Sequence, residues 1–142
     1  MGGGQDKARA LIPLMAKIDP AEASFAEGKL SEHSKKFSDA ESALRRAIEL
    51  APTQAGRVVD LARFLARQGR FPESERAFDE ADKLEPGAPK LLFARAQTWI
   101  HTKRNIPQAK DLLARYIAAP NRTPDDPTRL EAQKLLHKAE GL

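Results

Sequence analysis

The sequence contains no cysteine, which excludes a disulfide framework and a thiolate metal site. It also has no apolar run of about 18 to 20 residues, the length that a membrane-spanning helix requires. The first four residues are mostly glycine and lack the apolar segment of a signal peptide, so we interpret residues 1–4 as a cloning remnant or a disordered start. We therefore expect a soluble protein, with the cytoplasm favoured as its location.

The motifs of common enzymes are absent as well. The sequence has no phosphate-binding loop, nucleophile elbow or dinucleotide fingerprint. Its histidines, His33, His101 and His137, are too far apart in sequence to share one helix face, so we expect them on the surface and not as metal ligands. We expect no enzymatic activity, no metal and no cofactor.

Neither sign of charge dominates the chain. It has 24 basic and 20 acidic residues, and its formal net charge is +4. A nucleic-acid-binding domain usually carries a denser basic surface, so we do not expect a nucleic acid as partner. The small basic excess is compatible with an acidic protein partner.

What the sequence does contain is a pattern that occurs twice, 34 residues apart. Each copy begins with a phenylalanine and ends with a proline that follows an amphipathic stretch. The matching residues are Phe37, Leu44, Ala47, Leu50 and Pro52 in the first copy and Phe71, Phe78, Ala81, Leu84 and Pro86 in the second. A fixed period of this length is typical of stacked helical repeats and not of a closed globule.

Helix signals divide the chain into three helix pairs with an additional helix at each end. Each pair is one repeat of the period. We predict an N-terminal helix at 5–18, repeats at 21–54, 55–88 and 89–122, and a C-terminal helix within 123–142.

Polar residues before the helices are the expected N-caps. Asp19 is expected to cap the first helix of the first repeat, and Thr53 that of the second. Either Thr123 or Asp126 is expected to cap the last helix. The third repeat echoes the second after 35 residues, which predicts one extra residue in the turn near Asn105.

The helix pairs carry small residues at fixed places. The first helix of each pair has one at Gly28, Ala62 or Ala96, where two backbones would approach closely. The second helix has a small residue followed four positions later by a large one: Ala40 and Leu44, Ser74 and Phe78, Ala109 and Leu113. Together with the period, this arrangement resembles the tetratricopeptide repeat.

The resemblance covers about residues 21–120. It implies an all-α fold, a right-handed superhelix of three helix hairpins flanked by an extra N-terminal helix and a C-terminal capping helix. It also implies a non-catalytic protein–protein interaction module, an adaptor or scaffold, without identifying the partner. In this family the first helices of successive repeats line a concave groove that binds a peptide segment of a partner.

Two spacings give the expected groove residues: positions 34 apart stand side by side on successive first helices, and positions four apart stack along one helix. The resulting set is Phe25, Lys29 and His33, then Val59, Arg63 and Arg67, then Phe93, Gln97 and His101, with Ile100 adjoining. Our hypothesis is that Phe25, Val59 and Phe93 are apolar anchors for an extended or helical peptide. Its carboxylates would then meet Lys29, Arg63 and Arg67. The alternative is a solvated helix face whose long side chains cover their own apolar surface.

The best-known groove chemistry of the family is a set of Lys, Asn and Arg side chains that bind the C-terminal carboxylate of a partner. The matching positions here hold Phe25 and Lys29, then Asp60, then Lys90 and Ala94. Only Lys90 fits that pattern. We therefore do not expect a C-terminal carboxylate clamp, and we keep Lys90 as a groove residue.

The first repeat is more polar than the others at its packing positions. These positions hold Ser24, Glu27 and Ser31, where the second repeat has Val58, Leu61 and Leu65. Because an unpaired buried carboxylate is costly, we expect Glu27 at an exposed edge or beside a basic residue.

The terminal helices support an alternative function. A truncated array would leave Leu11, Leu14 or Met15 of the N-terminal helix without a neighbour. The protein would then be a self-association module, which forms a homodimer through its terminal helices, or a module that caps the array of a larger repeat protein.

Overall fold

The computed structural model describes residues 2–119 and 123–142, and these residues form eight α-helices and no strand. The helices are α1 Gly2–Ile18, α2 Pro20–His33, α3 Phe37–Leu50, α4 Ala55–Arg67, α5 Phe71–Leu84, α6 Pro89–His101, α7 Ile106–Ala118 and α8 Arg129–Glu140. The predicted all-α fold is confirmed. Met1 and the predicted end of the third repeat, at residues 120–122, lie outside the described residues.

The helices pack in chain order. The closest packing is within three hairpins, α2 with α3, α4 with α5 and α6 with α7. Successive hairpins meet where α3 contacts α4, where α5 contacts α6 and where the two first helices α4 and α6 touch. At the ends, α1 packs on α2, and α8 packs on α7 and also reaches α6. This sequential packing is that of a helical-repeat superhelix. The predicted residue limits of the repeats remain a prediction.

The hairpin turns differ in length as the spacing of the sequence predicts. Three residues separate α2 from α3 and α4 from α5, whereas four separate α6 from α7. Each short turn has one residue with a left-handed backbone, Lys35 with φ 61° and Gly69 with φ 76°. The longer turn has two, Lys103 with φ 55° and Asn105 with φ 48°. The extra residue near Asn105 is therefore accommodated by a second left-handed position.

Two of the predicted N-caps are wrong. Asp19 does cap α2, since its Oδ1 accepts a hydrogen bond from the backbone N–H of Glu22 at 3.0 Å. Gln54, and not Thr53, precedes α4, and it makes no side-chain cap. The cap of α8 is Thr128, whose hydroxyl oxygen accepts from the N–H of Glu131 while the Glu131 carboxylate accepts from the N–H of Thr128.

The late start of α8 has a physical cause in the segment before it. The backbone N–H of Thr123 donates to the Asp126 carboxylate at 2.7 Å, which closes a turn at the predicted cap positions. The hydroxyl of Tyr116 donates to the backbone oxygen of Pro127 and fixes this turn to α7. These two hydrogen bonds hold the segment before α8 in a non-helical conformation, and the helix begins at Arg129.

The small residues of the first helices lie where the two helices of each hairpin touch. Gly28 is buried against Leu44, and Ala62 and Ala96 have no exposed surface. The hydroxyl of Ser74 donates to the backbone oxygen of Ala62 at 2.7 Å, which joins α5 to α4. These contacts belong to or border two apolar core clusters, one centred on α4 and the other on α6, α7 and α8. Glu27 is exposed, as expected.

Adding a methyl group to Gly28 is expected to destabilise the fold. A Cβ atom there would lie 3.0 Å from Cγ and Cδ2 of Leu44 and 3.4 Å from the backbone oxygen of Ala40. The helix propensity of alanine favours Gly28→Ala by about 1 kcal/mol, but overpacking of this kind costs about 1–3 kcal/mol. We expect a net loss of up to about 2 kcal/mol in the free energy of unfolding, measured by urea denaturation with circular dichroism.

The chain offers a matched control for this substitution. Gly56 is also in a first helix, but a Cβ atom there would have no other atom within 4 Å. Gly56→Ala should therefore raise the free energy of unfolding, by up to about 1 kcal/mol. Equal stability of the two variants would show that the contact between Gly28 and Leu44 does not limit the packing.

Candidate peptide-binding groove

Side chains 34 or 35 positions apart meet across the first helices. The Arg63 guanidinium donates a hydrogen bond to Oε1 of Gln97, 34 residues further on. Arg67 in α4 donates to both carboxylate oxygens of Glu32 in α2, at 2.6 and 2.8 Å. The Arg57 guanidinium, at the start of α4, donates to Glu22 at 2.6 Å. The first helices thus form one continuous surface.

The larger cavity on this surface lies between α4, α6 and α8 and has a volume of about 770 Å³. Its lining includes five of the predicted groove residues: Val59, Arg63, Lys90, Phe93 and Gln97. Leu91, Ala94 and Leu135 add further apolar surface. We call this cavity the groove.

A smaller cavity of about 290 Å³ holds most of the remaining predicted residues. Its lining includes Phe25, Lys29, Arg67 and His101, and it shares Arg63 and Gln97 with the groove. The hydrogen bond between Arg63 and Gln97 therefore lies where the two cavities meet. The three predicted anchors are thus divided, with Phe25 in the small cavity and Val59 and Phe93 in the groove.

The structure corrects two of the predicted positions. Ile100 is only 2 % exposed and belongs to a core cluster, because it lies one helical turn after Ala96 on the face that packs against α7. His33 is exposed at the end of α2 and lines neither cavity. Phe93 is half-buried, and its ring lies 5.4 Å from the ring of Tyr116, so it contributes to the core as well as to the groove.

Glu32 forms ion pairs with Lys29 and Arg67, and Lys29 was one of the basic side chains expected to meet the carboxylates of a partner. In addition to its two hydrogen bonds with Arg67, it lies 3.9 Å from Nζ of Lys29. Burial raises the pKa of Glu32, but the hydrogen bond and charge of Arg67 and the charge of Lys29 together hold it below its ordinary value. Glu32 was not predicted as a partner of Arg67 because it lies 35 and not 34 residues before it.

Asp60 is a carboxylate that lines both cavities. Its nearest cation is Arg57, 3.7 Å away, which is already paired with Glu22 at 2.6 Å. Burial raises the pKa of Asp60 to about 6, although the charges of Arg57, Arg63 and Lys29 act in the opposite direction. Burial also lowers the pKa of Arg63.

The C-terminal helix α8 forms a wall of the groove that was not predicted from the sequence. Glu131, Lys134, Leu135 and Lys138 of α8 line it, together with Pro127 before the helix. The spacing of these α8 residues places them on one helix face. This shared face is the feature of the sequence from which the wall could have been predicted. That this face turns toward α4 and α6 depends on how α8 packs against α7, and no local pattern encodes that packing.

Fold and groove together define a helical-hairpin repeat protein with a concave surface. Residues 33–91 match the model of the tetratricopeptide repeat family, and the eight consecutive helices fit a repeat of that type. Proteins of this family generally mediate protein–protein interactions. No curated protein sequence shows significant similarity to the chain. Within residues 2–119 and 123–142, none of the helices has the length and apolar character needed to cross a membrane.

Replacing the Asp60 carboxylate should change the dependence of stability on pH. The pKa of Asp60 is about 6 in the folded protein and 3.8 in a model compound, so the folded state binds the proton more tightly. Folding is therefore penalised above about pH 6, and the penalty disappears as the pH falls toward about 4. Asp60→Asn should be more stable than the wild type at about pH 7.5, by about 1–3 kcal/mol, and the difference should shrink near pH 4.5.

Urea denaturation at several pH values measures this difference. Asp111→Asn is the control because Asp111 is an exposed aspartate on α7 that lines neither cavity. We expect it to match the wild type at neutral pH. A loss of stability in Asp60→Asn at neutral pH would show that the ion pair of Asp60 with Arg57 outweighs the cost of burial.

Proposed function

We propose that the protein is a non-catalytic protein-binding module that holds a peptide segment of a partner in the groove between α4, α6 and α8. The observation that carries this proposal is the cavity of about 770 Å³, which lies on the concave face and is lined by partly exposed apolar side chains. Ligand-binding clefts in proteins typically have volumes of about 300–1,000 Å³. The match to a family of interaction modules supports the same conclusion.

Apolar side chains of a peptide would gain most from this site. Val59 and Phe93 are half-buried, so each still presents apolar surface to solvent. Leu135 of α8 faces the same space from the opposite wall. Covering one apolar side chain of a peptide completely contributes about 1.5–3 kcal/mol, so one or two anchors are enough for measurable affinity.

The competing interpretation is a groove that stays hydrated. Lys90, Lys134 and Lys138 have long aliphatic stems that can cover part of the apolar lining while their amines remain in water. The two interpretations differ in whether blocking the groove abolishes the binding of a partner peptide.

Gly56 provides a way to block the groove without disturbing the core. It lines the groove, and a Cβ atom there has open space. Peptides selected on the wild-type protein from a displayed random library should bind Gly56→Ala with unchanged affinity and Gly56→Trp at least about tenfold more weakly, because the indole occupies the site. Isothermal titration calorimetry measures the affinities, and circular dichroism checks that both variants are folded.

Selected peptides that bind Gly56→Trp as tightly as the wild type would contradict the proposal, because their site would then lie elsewhere. A library that yields no binding peptide would also contradict it.

Self-association is a second candidate function, and the exposure of α1 favours it. Leu11, Leu14 and Ile18 lie on one helix face and are 54 %, 58 % and 88 % exposed. Ile12, on the adjacent face, is buried where α1 packs on α2. In α3 and α5, by contrast, the central apolar residues Leu44 and Phe78 are buried. For this second candidate function, we propose that a second copy of the chain covers the exposed face of α1.

Sedimentation velocity at low and high micromolar concentrations tests this second candidate. The wild type should form a dimer as its concentration rises, and Leu14→Glu should remain a monomer because a carboxylate would be buried at the interface. Ala16→Glu adds the same charge to an exposed position on the opposite face of α1 and should still form the dimer. A wild-type protein that is monomeric at every concentration would exclude this function.

A further inference from the structure

Three lysines on the walls of the groove have no acidic partner. Lys90 lies in the first turn of α6, and Lys134 and Lys138 lie on successive turns of α8. Within residues 2–119 and 123–142, no carboxylate forms an ion pair with any of these three amines. The arginines of the first helices differ in this respect, since Arg57 is paired with Glu22 and Arg67 with Glu32.

Two of the three carboxylates that line the groove interact with groups other than these lysines. Glu131 accepts a hydrogen bond from the backbone N–H of Thr128 at 2.7 Å, as part of the cap of α8. Asp60 lies beside Arg57. Only Glu85, which is exposed at the end of α5, has no such contact. The unpaired charge at the groove is therefore mainly positive, and two of its three lysines, Lys134 and Lys138, lie on α8.

The spacing of the two α8 lysines suits an extended peptide. Positions four apart on a helix are separated by about 6 Å along its axis. Alternate residues of an extended chain are separated by about 6.6–6.8 Å and point to the same side, while the residue between them points to the opposite side. A segment along α8 can therefore direct two carboxylates to Lys134 and Lys138 and the intervening side chain to the apolar surface around Val59 and Phe93.

We propose that the groove binds an extended acidic segment of a partner protein in which one apolar residue lies between two carboxylates. This inference rests on the proposed function. The carboxylates meet Lys134 and Lys138, the apolar side chain lies against Val59 and Phe93, and Lys90 receives a further acidic residue of the same segment. The C-terminal helix then determines which partners are accepted.

Synthetic peptides with a central Glu-Leu-Glu sequence between glycine and serine residues are the probes. The comparison peptides carry Gln-Leu-Gln, which removes the charge, and Glu-Ser-Glu, which removes the anchor. Fluorescence anisotropy should show that both bind at least about fivefold more weakly than Glu-Leu-Glu, and that added salt weakens only the two charged peptides. Equal binding of Gln-Leu-Gln, or no binding of Glu-Leu-Glu, would overturn the proposal.

Charge reversal tests the assignment of the lysines. Lys134 and Lys138 are exposed, so the double variant Lys134→Glu with Lys138→Glu should remain folded. The double variant Lys134→Gln with Lys138→Gln removes the two charges without reversing them. We expect the reversal to weaken Glu-Leu-Glu about five- to twentyfold and to strengthen binding of a Lys-Leu-Lys peptide. Lys7→Glu with Lys17→Glu changes the net charge equally but lies on α1, and it should leave both affinities within about twofold.

The outcomes separate this inference from the function on which it rests. If Gly56→Trp abolishes peptide binding while reversal of the α8 lysines has no effect, the groove is the site and the acidic specificity is wrong. If Gly56→Trp has no effect, the proposed function itself fails. If the α1 reversal weakens binding as much as the α8 reversal, overall charge explains the result and the specific contacts are excluded.

Discussion

The close approach of the two helices within each hairpin is the constraint on which the rest of the structure depends. Gly28 lies against Leu44, and a Cβ atom at Gly28 would be only 3.0 Å from that side chain. In the next hairpin Ala62 has no exposed surface and accepts a hydrogen bond from the hydroxyl of Ser74 at 2.7 Å. Ala96 is also without exposed surface and lies in a core cluster with Ala109 and Leu113 of α7. Because each first helix has a small buried residue at this place, the hairpins can pack closely and stack with their first helices adjacent.

Adjacent first helices bring residues of successive hairpins together, and this determines where basic charge remains available. Arg67 contacts both oxygens of Glu32, and Arg63 donates to Gln97. Exposed ion pairs contribute modestly to stability, typically about 0.2–1 kcal/mol, so their larger consequence is for the charge that stays unpaired on the surface. The surface near α2 is nearly neutralised by its own carboxylates, whereas Lys134 and Lys138 beside α8 have no such partner.

Local features of the chain were predictable from the sequence, and features that depend on packing between distant segments were not. The hairpins and the extra turn residue near Asn105 follow from periodicity and spacing, which act over a few residues. Thr128 was missed as a cap because the turn before it is held by a contact with α7. Ile100 was assigned to the wrong face because helical spacing alone does not separate two faces that are less than a quarter-turn apart. The pairing of Glu32 and the role of Lys134 both depend on how neighbouring helices are placed.

The groove is therefore not a product of the repeat alone. The repeat supplies two of its walls, α4 and α6, and such a pair of first helices leaves a surface that is open on one side. The third wall is α8, which lies outside the repeated pattern and contributes Lys134, Leu135 and Lys138. At the opposite end, α1 packs on α2 but contributes no residue to the lining of the smaller cavity, and Glu27 at a packing position is exposed. An array of identical hairpins would present similar surfaces along its length, whereas in this protein a non-repeat helix closes one side of the groove. For the binding mode proposed above, we therefore expect specificity for a partner to depend more on the sequence of α8 than on the residues that maintain the period.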